Sequence, residues 1–277
     1  MSQPTLPAQV RTAFVSGASG GLGQAFATVL LGRGVAVWGT ARDATRLGSL
    51  SGRPGFHPLS MDLASPDAAA EAFTKADAEA GGFDVVIQNA GYGLFARFAD
   101  LDEALWEEQI RSMLLTTARL SRLALRGFRS RGRGCLVHVS SLAVEFPLPF
   151  QSGYNVAKAG LSALSESLMV ETRGSGIVVI DFRPGDYNTG FNLAMRGRLE
   201  PAGDDELTRA WRRIDDLLAA APTPDRAARD LLRAIGRGRS GVVRSGSFFQ
   251  ARLAPMLAAI APASWLRASQ ARYFDLR

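Results

Sequence analysis

A chain of 277 residues that is 47% hydrophobic and 21% charged has ordinary globular composition and enough length for a substantial core. Disorder is excluded as the dominant state, and no run of ~18–20 uncharged apolar residues is present to span a bilayer. The net charge is +6, but the basic residues, all arginine apart from Lys75 and Lys158, are interleaved with acids along the whole chain, so an anionic small ligand is expected and nucleic acid is not.

The first residues, MSQPTLPAQVR, lack the basic-then-apolar layout of a secretory signal. From there, short Val- and Ile-rich runs over 12–16, 35–39, 55–59, 85–88, 135–140, 177–182 and 241–243 predict strands. Between them, periodic stretches over 21–33, 66–79, 101–130, 153–173 and 224–236 predict helices. This alternation predicts an α/β fold with a parallel sheet covered on both faces. No repeat or linker divides the chain, so one domain over 1–277 is expected, its core at about 10–245. Residues 185–218 break the alternation with Gly, Asn and Thr and a helical stretch over 211–218, as a substrate lid at about 185–221 would. The tail, 247–277, is apolar but interrupted by Pro255 and Pro262, and reads as a strap over the core or a subunit contact. Arg252, Arg267 and Arg272 flank its apolar residues, which makes a membrane-surface helix the alternative.

Four places carry chemistry. Ser16-Gly17-Ala18-Ser19-Gly20-Gly21-Leu22-Gly23 joins the first strand to the first helix, where residues without Cβ let backbone amides approach a pyrophosphate. At the end of the second strand stand Arg42 and Asp43. An arginine there suits the 2′-phosphate of NADP, whereas a carboxylate would suit the free hydroxyls of NAD; Arg42 is the expected contact and NADP(H) the preferred cofactor. Tyr154 and Lys158 are spaced i, i+4 on a helix, so an ammonium would lower the phenol pKa and fit Tyr154 for proton transfer. Ser141, at the carboxyl end of the fifth strand, could hydrogen-bond a substrate oxygen. His57 and His138 lie in strands with no ligand cluster around them, so no metal is expected. The lone Cys135 has no internal disulfide partner and suits a reducing cytoplasm.

Taken together, Ser16 to Gly23, Gln88-Asn89-Ala90-Gly91, Ser141, Tyr154, Lys158 and Pro184-Gly185 with Thr189 resemble the short-chain dehydrogenase/reductase family. The resemblance covers about 10–245 and is closest in kind to single-domain hydroxysteroid dehydrogenases and carbonyl or ketoacyl reductases. It implies a Rossmann-like doubly wound sheet of about seven strands. It implies catalysis by Ser141, Tyr154 and Lys158, with Lys158 also on the nicotinamide ribose. Cofactor binding would fall to Ser16, Gly17, Ser19, Gly21, Leu22 and Gly23 at the pyrophosphate, and to Asp62 and Leu63 at adenine. Asn89, Ala90 and Gly91 would lie at the adenosine ribose, and Pro184, Gly185 and Thr189 at the carboxamide. A homodimer or homotetramer, pairing the helices over 101–130 and 153–173, is also implied. Two departures stand out: Gln88 replaces an asparagine, and Met113 falls where the family has the asparagine that kinks a helix and holds a water in the proton relay. A thioether is too weak an acceptor for that task.

Three segments, 92–98, 142–151 and 186–195, should converge above the nicotinamide. They bring Leu94, Phe95, Leu142, Phe146, Leu148, Phe150, Phe191 and Met195, an apolar lining that suits a bulky hydrophobic small molecule; Glu145 and Asp186 are the polar exceptions. The expected function is an NADP(H)-dependent oxidoreductase acting on a hydrophobic ketone or secondary alcohol. The alternatives are a biosynthetic enzyme of the same fold catalysing a non-redox cyclisation, isomerisation or dehydration, and a non-catalytic NADP-binding sensor.

Overall fold

The computed structural model describes residues 6–191, 195 and 206–276. Of the expected lid, residues 192–194 and 196–205 lie outside the described residues, as do the ends of the chain at 1–5 and 277.

Seven strands form one sheet: β1 (Thr12–Val15), β2 (Ala36–Ala41), β3 (Phe56–Ser60), β4 (Val85–Gln88), β5 (Gly134–Val139), β6 (Ile177–Pro184) and β7 (Gly241–Ser245). All neighbours pair in parallel, in the order β3-β2-β1-β4-β5-β6-β7. The helices include α1 (Gly21–Leu31), α2 (Pro66–Glu79), α3 (Glu103–Ile110), α4 (Thr117–Arg131) and α5 (Ser152–Glu171). After β6 come α6 (Glu206–Ala219) and α7 (Asp225–Arg237), and after β7 come α8 (Ala254–Ala258) and α9 (Ala263–Tyr273). This is the Rossmann-like doubly wound sheet.

Alternate residues of each strand feed opposite faces, so one sheet serves two cores. Val15, Val37, Ile87, Val137 and Ile180 pack beneath α1 and α7. Phe14, Trp38, Val86, Leu136 and Val179 pack on the other side, against α2 and α4. The strand order reverses between β1 and β4, and a crevice opens there at the carboxyl ends of the strands. Every chemically informative segment of the sequence ends at this edge.

One long helix was expected over 101–130, but the structure interrupts it. A π-helical stretch, Arg111–Thr116, separates α3 from α4, and the Thr117 hydroxyl donates to the Ser112 carbonyl inside it. Met113 lies within this stretch and is buried. The bulge therefore forms without an asparagine side chain.

Candidate active site

The turn after β1 is built for close approach of a ligand's phosphates. Gly17 and Gly21 have φ of +67° and +53°, in the left-handed region that disfavours side chains. At Gly23 a Cβ would stand 2.1 Å from the Gly17 carbonyl oxygen and 2.6 Å from Asn89 Nδ2, so a side chain has no room. Asn89 and Ser16 tie the ends of β4 and β1 together. The Asn89 and Ala90 backbone N–H groups donate to Ser16 Oγ at 2.9 and 3.0 Å, and Asn89 Nδ2 donates to the Ser16 carbonyl at 3.0 Å. Ser16 and Gly23 thus shape the turn from behind. Gly17, Ser19, Gly21, Leu22, Arg42, Asp62, Leu63, Asn89, Ala90 and Gly91 line one cleft of about 660 Å³ with Tyr154, Lys158, Pro184, Gly185 and Thr189. The glycine cradle and this lining fit a dinucleotide.

At the adenosine end, Arg42 is joined by Arg46, a residue sequence reading missed, because a short 3₁₀ turn (Ala44–Leu47) brings it round to the same wall. Asp43 begins that turn, and its carboxylate accepts from the Thr45 N–H at 2.9 Å. Those hydrogen bonds to Thr45 hold its pKa below the usual value. The acid beside Arg42 is committed to a local cap and not to a ribose.

At the other end, the Lys158 ammonium donates to the Val139 carbonyl at 2.6 Å and lies 5.6 Å from the centre of the Tyr154 ring. Ser141 accepts from the Ala143 N–H at 3.0 Å, and its hydroxyl stands near enough to the Tyr154 phenol to favour the phenolate. The expected lowering of the phenol pKa is reversed in the free protein. Burial pushes the phenol up, the Ser141 hydroxyl opposes this, and the Asp186 carboxylate adds to the rise. Burial also lowers Lys158, to about 8, with Asp181 opposing. Burial in the crevice disfavours both charges, so Tyr154 is held as an acid and Lys158 is the group that titrates first. Its ammonium is present below about 8 and lost above. In a pH series, kcat/KM should therefore fall on the alkaline side of about 8. A profile flat up to the phenol range would contradict this assignment.

Behind β5 and β6 lies a buried polar network. Asp181 accepts from the Ser140 hydroxyl, from Ser162 Oγ at 2.7 Å and from Arg183 Nε at 2.8 Å. Arg183 reaches on to Glu145 at 2.7 Å, which also meets Arg244 at 2.7 Å. Glu145, expected in the pocket, is thus consumed by two arginines. His138 sits between Ser121 and Ser165, with both contacts at 2.8 Å, and burial lowers it to about 4, so the ring is neutral. His57 stacks on Trp38 at 4.1 Å, and the Cys135 thiol is pushed up to about 12 by burial, which makes it unreactive. Among the described residues no cluster of metal ligands occurs.

The apolar chamber beyond Tyr154 has Leu142, Phe146, Leu148, Phe191 and Met195 on its walls. Phe191 packs against the Tyr154 ring at 5.6 Å. Leu94, Phe95 and Phe150 stand elsewhere than expected. Leu94 is in the buried interior, and Phe95 packs edge-on against Trp211 of α6 and against Phe150. Phe95, Trp211 and the partly buried Phe150 belong to a small core with Met195, Ile214 and Phe274, and the last three also line the cleft. The tail, expected as a strap over the core, a subunit contact or a membrane-surface helix, lends Phe249, Gln250, Leu257, Trp265 and Tyr273 to the chamber lining, and Gln250 Nε2 donates to Asp186 at 2.5 Å. No motif marks these residues; only the apolar composition past β7 hinted at a role.

The sequence pattern of the short chain dehydrogenases matches residues 11–198. An uncharacterized oxidoreductase of Myxococcus xanthus is 38% identical over 185 residues, covering 63% of this chain and 71% of the relative. The 3-oxoacyl-(acyl-carrier-protein) reductase FabG of Escherichia coli is 29% identical over 187 residues, covering 67% of this chain and 77% of its own length. Among solved structures, a short-chain dehydrogenase from Streptomyces avermitilis superposes with a TM-score of 0.79 at 25% identity, over 96% of this chain and 99% of that one. A glycine turn, a serine–tyrosine–lysine set at one strand edge and these likenesses together make the chain a member of the short-chain dehydrogenase/reductase family, NAD(P)-dependent enzymes acting on CH–OH and C=O groups.

Proposed function

We propose that the protein is an NADP(H)-dependent oxidoreductase that interconverts a bulky hydrophobic ketone and its secondary alcohol. The observation that carries this reading is the Tyr154 phenol, held protonated by burial and lining an apolar chamber continuous with a dinucleotide cleft. When bound, the cofactor supplies or accepts a hydride at nicotinamide C4. The Ser141 hydroxyl orients the substrate oxygen, and in reduction Tyr154 gives its proton to that oxygen. The Lys158 ammonium, one helical turn away, favours the phenolate that remains and binds the nicotinamide ribose. Leu142, Phe146 and Phe191 exclude water and hold the apolar body of the substrate. Exposed Leu115, Val156 and Val170, in and beside α4 and α5, suit pairing of these helices in a homodimer or homotetramer.

NADP(H) is favoured because Arg42 and Arg46 share the adenosine wall while Asp43 is turned to its cap. Arg42→Ala should lower kcat/KM for NADPH by about 10- to 100-fold, the worth of a charge-assisted contact to phosphate, and leave NADH within about threefold. A panel of hydrophobic ketones and alcohols assayed with both cofactors in parallel tests the reading. Preference for NADH in the unaltered enzyme would overturn the cofactor assignment, and turnover confined to sugars or small acids would overturn the substrate class.

A further inference from the structure

Past β7 the chain stops behaving like the rest of the domain. From 247 to 276 sixteen residues are exposed and thirteen partly covered, and Phe274 is the one buried side chain. Of eleven exposed large apolar side chains among the described residues, seven lie between Phe248 and Tyr273. Ile260 is 81% exposed, Phe248 73% and Met256 61%. A patch of this kind on a soluble domain marks a surface that something covers.

The charges beside the patch identify the cover. Arg252, Arg267 and Arg272 are exposed, and none has an ion-pair partner among the described residues. Asp275 is the only acid from 247 to 276, and it faces Arg209 at 3.8 Å. A second copy of the chain docking by two-fold symmetry would set this patch against itself and crowd like-charged guanidiniums together. An anionic lipid surface instead accepts both components, the apolar side chains below the headgroups and the arginines among the phosphates. The position is also specific. Phe249, Leu257 and Trp265 are exposed on the outside and line the chamber on the inside, so the patch forms the rim of its mouth.

We propose that α8, α9 and the segments flanking them dock on the surface of an anionic lipid bilayer and give lipophilic substrate a route from the lipid into the chamber. The route rests on the function proposed above; the docking does not. The test is co-sedimentation of the full-length protein with phosphatidylcholine vesicles, with and without about 30% phosphatidylglycerol. Binding is expected to the anionic vesicles and to weaken with added salt. The triple variant Phe248→Ser, Met256→Gln, Ile260→Gln alters no chamber residue. It should weaken partitioning by about tenfold or more while turnover of a water-soluble ketone stays unchanged. Arg252→Gln, Arg267→Gln and Arg272→Gln together should abolish the preference for anionic vesicles. A wild-type protein that stays in the supernatant, or an apolar triple variant that binds like wild type, overturns the proposal. An oligomer that the triple variant dissociates, without vesicle binding by either protein, assigns the patch to a second copy and overturns it as well. Vesicle binding in a protein that reduces no ketone would uphold docking and sink the proposed reaction, so the two fail separately.

Discussion

Tyr154→Phe is expected to lower turnover by about 10²- to 10⁴-fold while cofactor affinity stays within about threefold. The substitution removes one oxygen and leaves the ring. Phenylalanine keeps the edge-to-face packing against Phe191 at 5.6 Å and the position of the Lys158 ammonium 5.6 Å from the ring centre. Lys158 keeps its bond to the Val139 carbonyl, so the side chain that would hold the nicotinamide ribose does not move. The proton donor alone is lost, and the effect belongs in kcat. Single-turnover hydride transfer followed by nicotinamide absorbance, with a fluorescence titration of cofactor, separates the two quantities. Activity within tenfold of wild type would remove Tyr154 from the proton-transfer step.

The same site shows how far a sequence can be read. The strand edges, the glycine turn and the Tyr154–Lys158 spacing are local patterns whose geometry follows from helix and strand periodicity, and they were legible. The electrostatics were not. Spacing places an ammonium near a phenol, but burial decides which charge survives, and burial is a property of the assembled crevice. Here the crevice raises Tyr154 and lowers Lys158 to about 8. Glu145 illustrates a second limit. It lies in the correct segment for the pocket, yet Arg183 from β6 and Arg244 from β7 claim it, and those partners are remote in sequence. Phe95 fails for the same reason, because Trp211 arrives from α6 and packs edge-on against it. Arg46 and the tail residues Phe249 and Tyr273 belong to no motif, and only folding brings them to the cleft.

Met113 belongs between these cases. The π-helical stretch Arg111–Thr116 places it against Gly91, where a Cβ would meet Met113 Cε at 3.2 Å and Lys158 Nζ at 3.5 Å. The thioether therefore lies on the approach to the ammonium that a water-holding asparagine would occupy in the family. Lys158 in this chain turns to the Val139 carbonyl and to the field of Asp181 for its stabilisation. Support for the ammonium in this chain comes from β5 and β6.

Asp181→Ala is the most destabilising single change expected in the site's surroundings. Asp181 is completely buried and accepts from Ser140, Ser162 and Arg183. Removing it leaves a buried guanidinium with Glu145 at 2.7 Å and the exposed Glu166 at 3.8 Å, takes the acceptor from the Ser162 hydroxyl and leaves Ser140 only the Phe182 carbonyl at 3.3 Å. Breaking a buried pair from one side costs about 3–5 kcal/mol, which for a chain of this size lowers Tm by roughly 10 °C. Asp181→Asn keeps the shape and some of the hydrogen bonds, so its loss should be smaller by about half. Both variants also withdraw the charge that opposes the lowering of Lys158, and the alkaline limb of kcat/KM should move to lower pH in both. A purely structural role predicts lower Tm with the limb unmoved. Thermal unfolding and pH profiles of the two variants therefore decide whether Asp181 merely ties β5 to β6 or also keeps the ammonium beside Tyr154 charged.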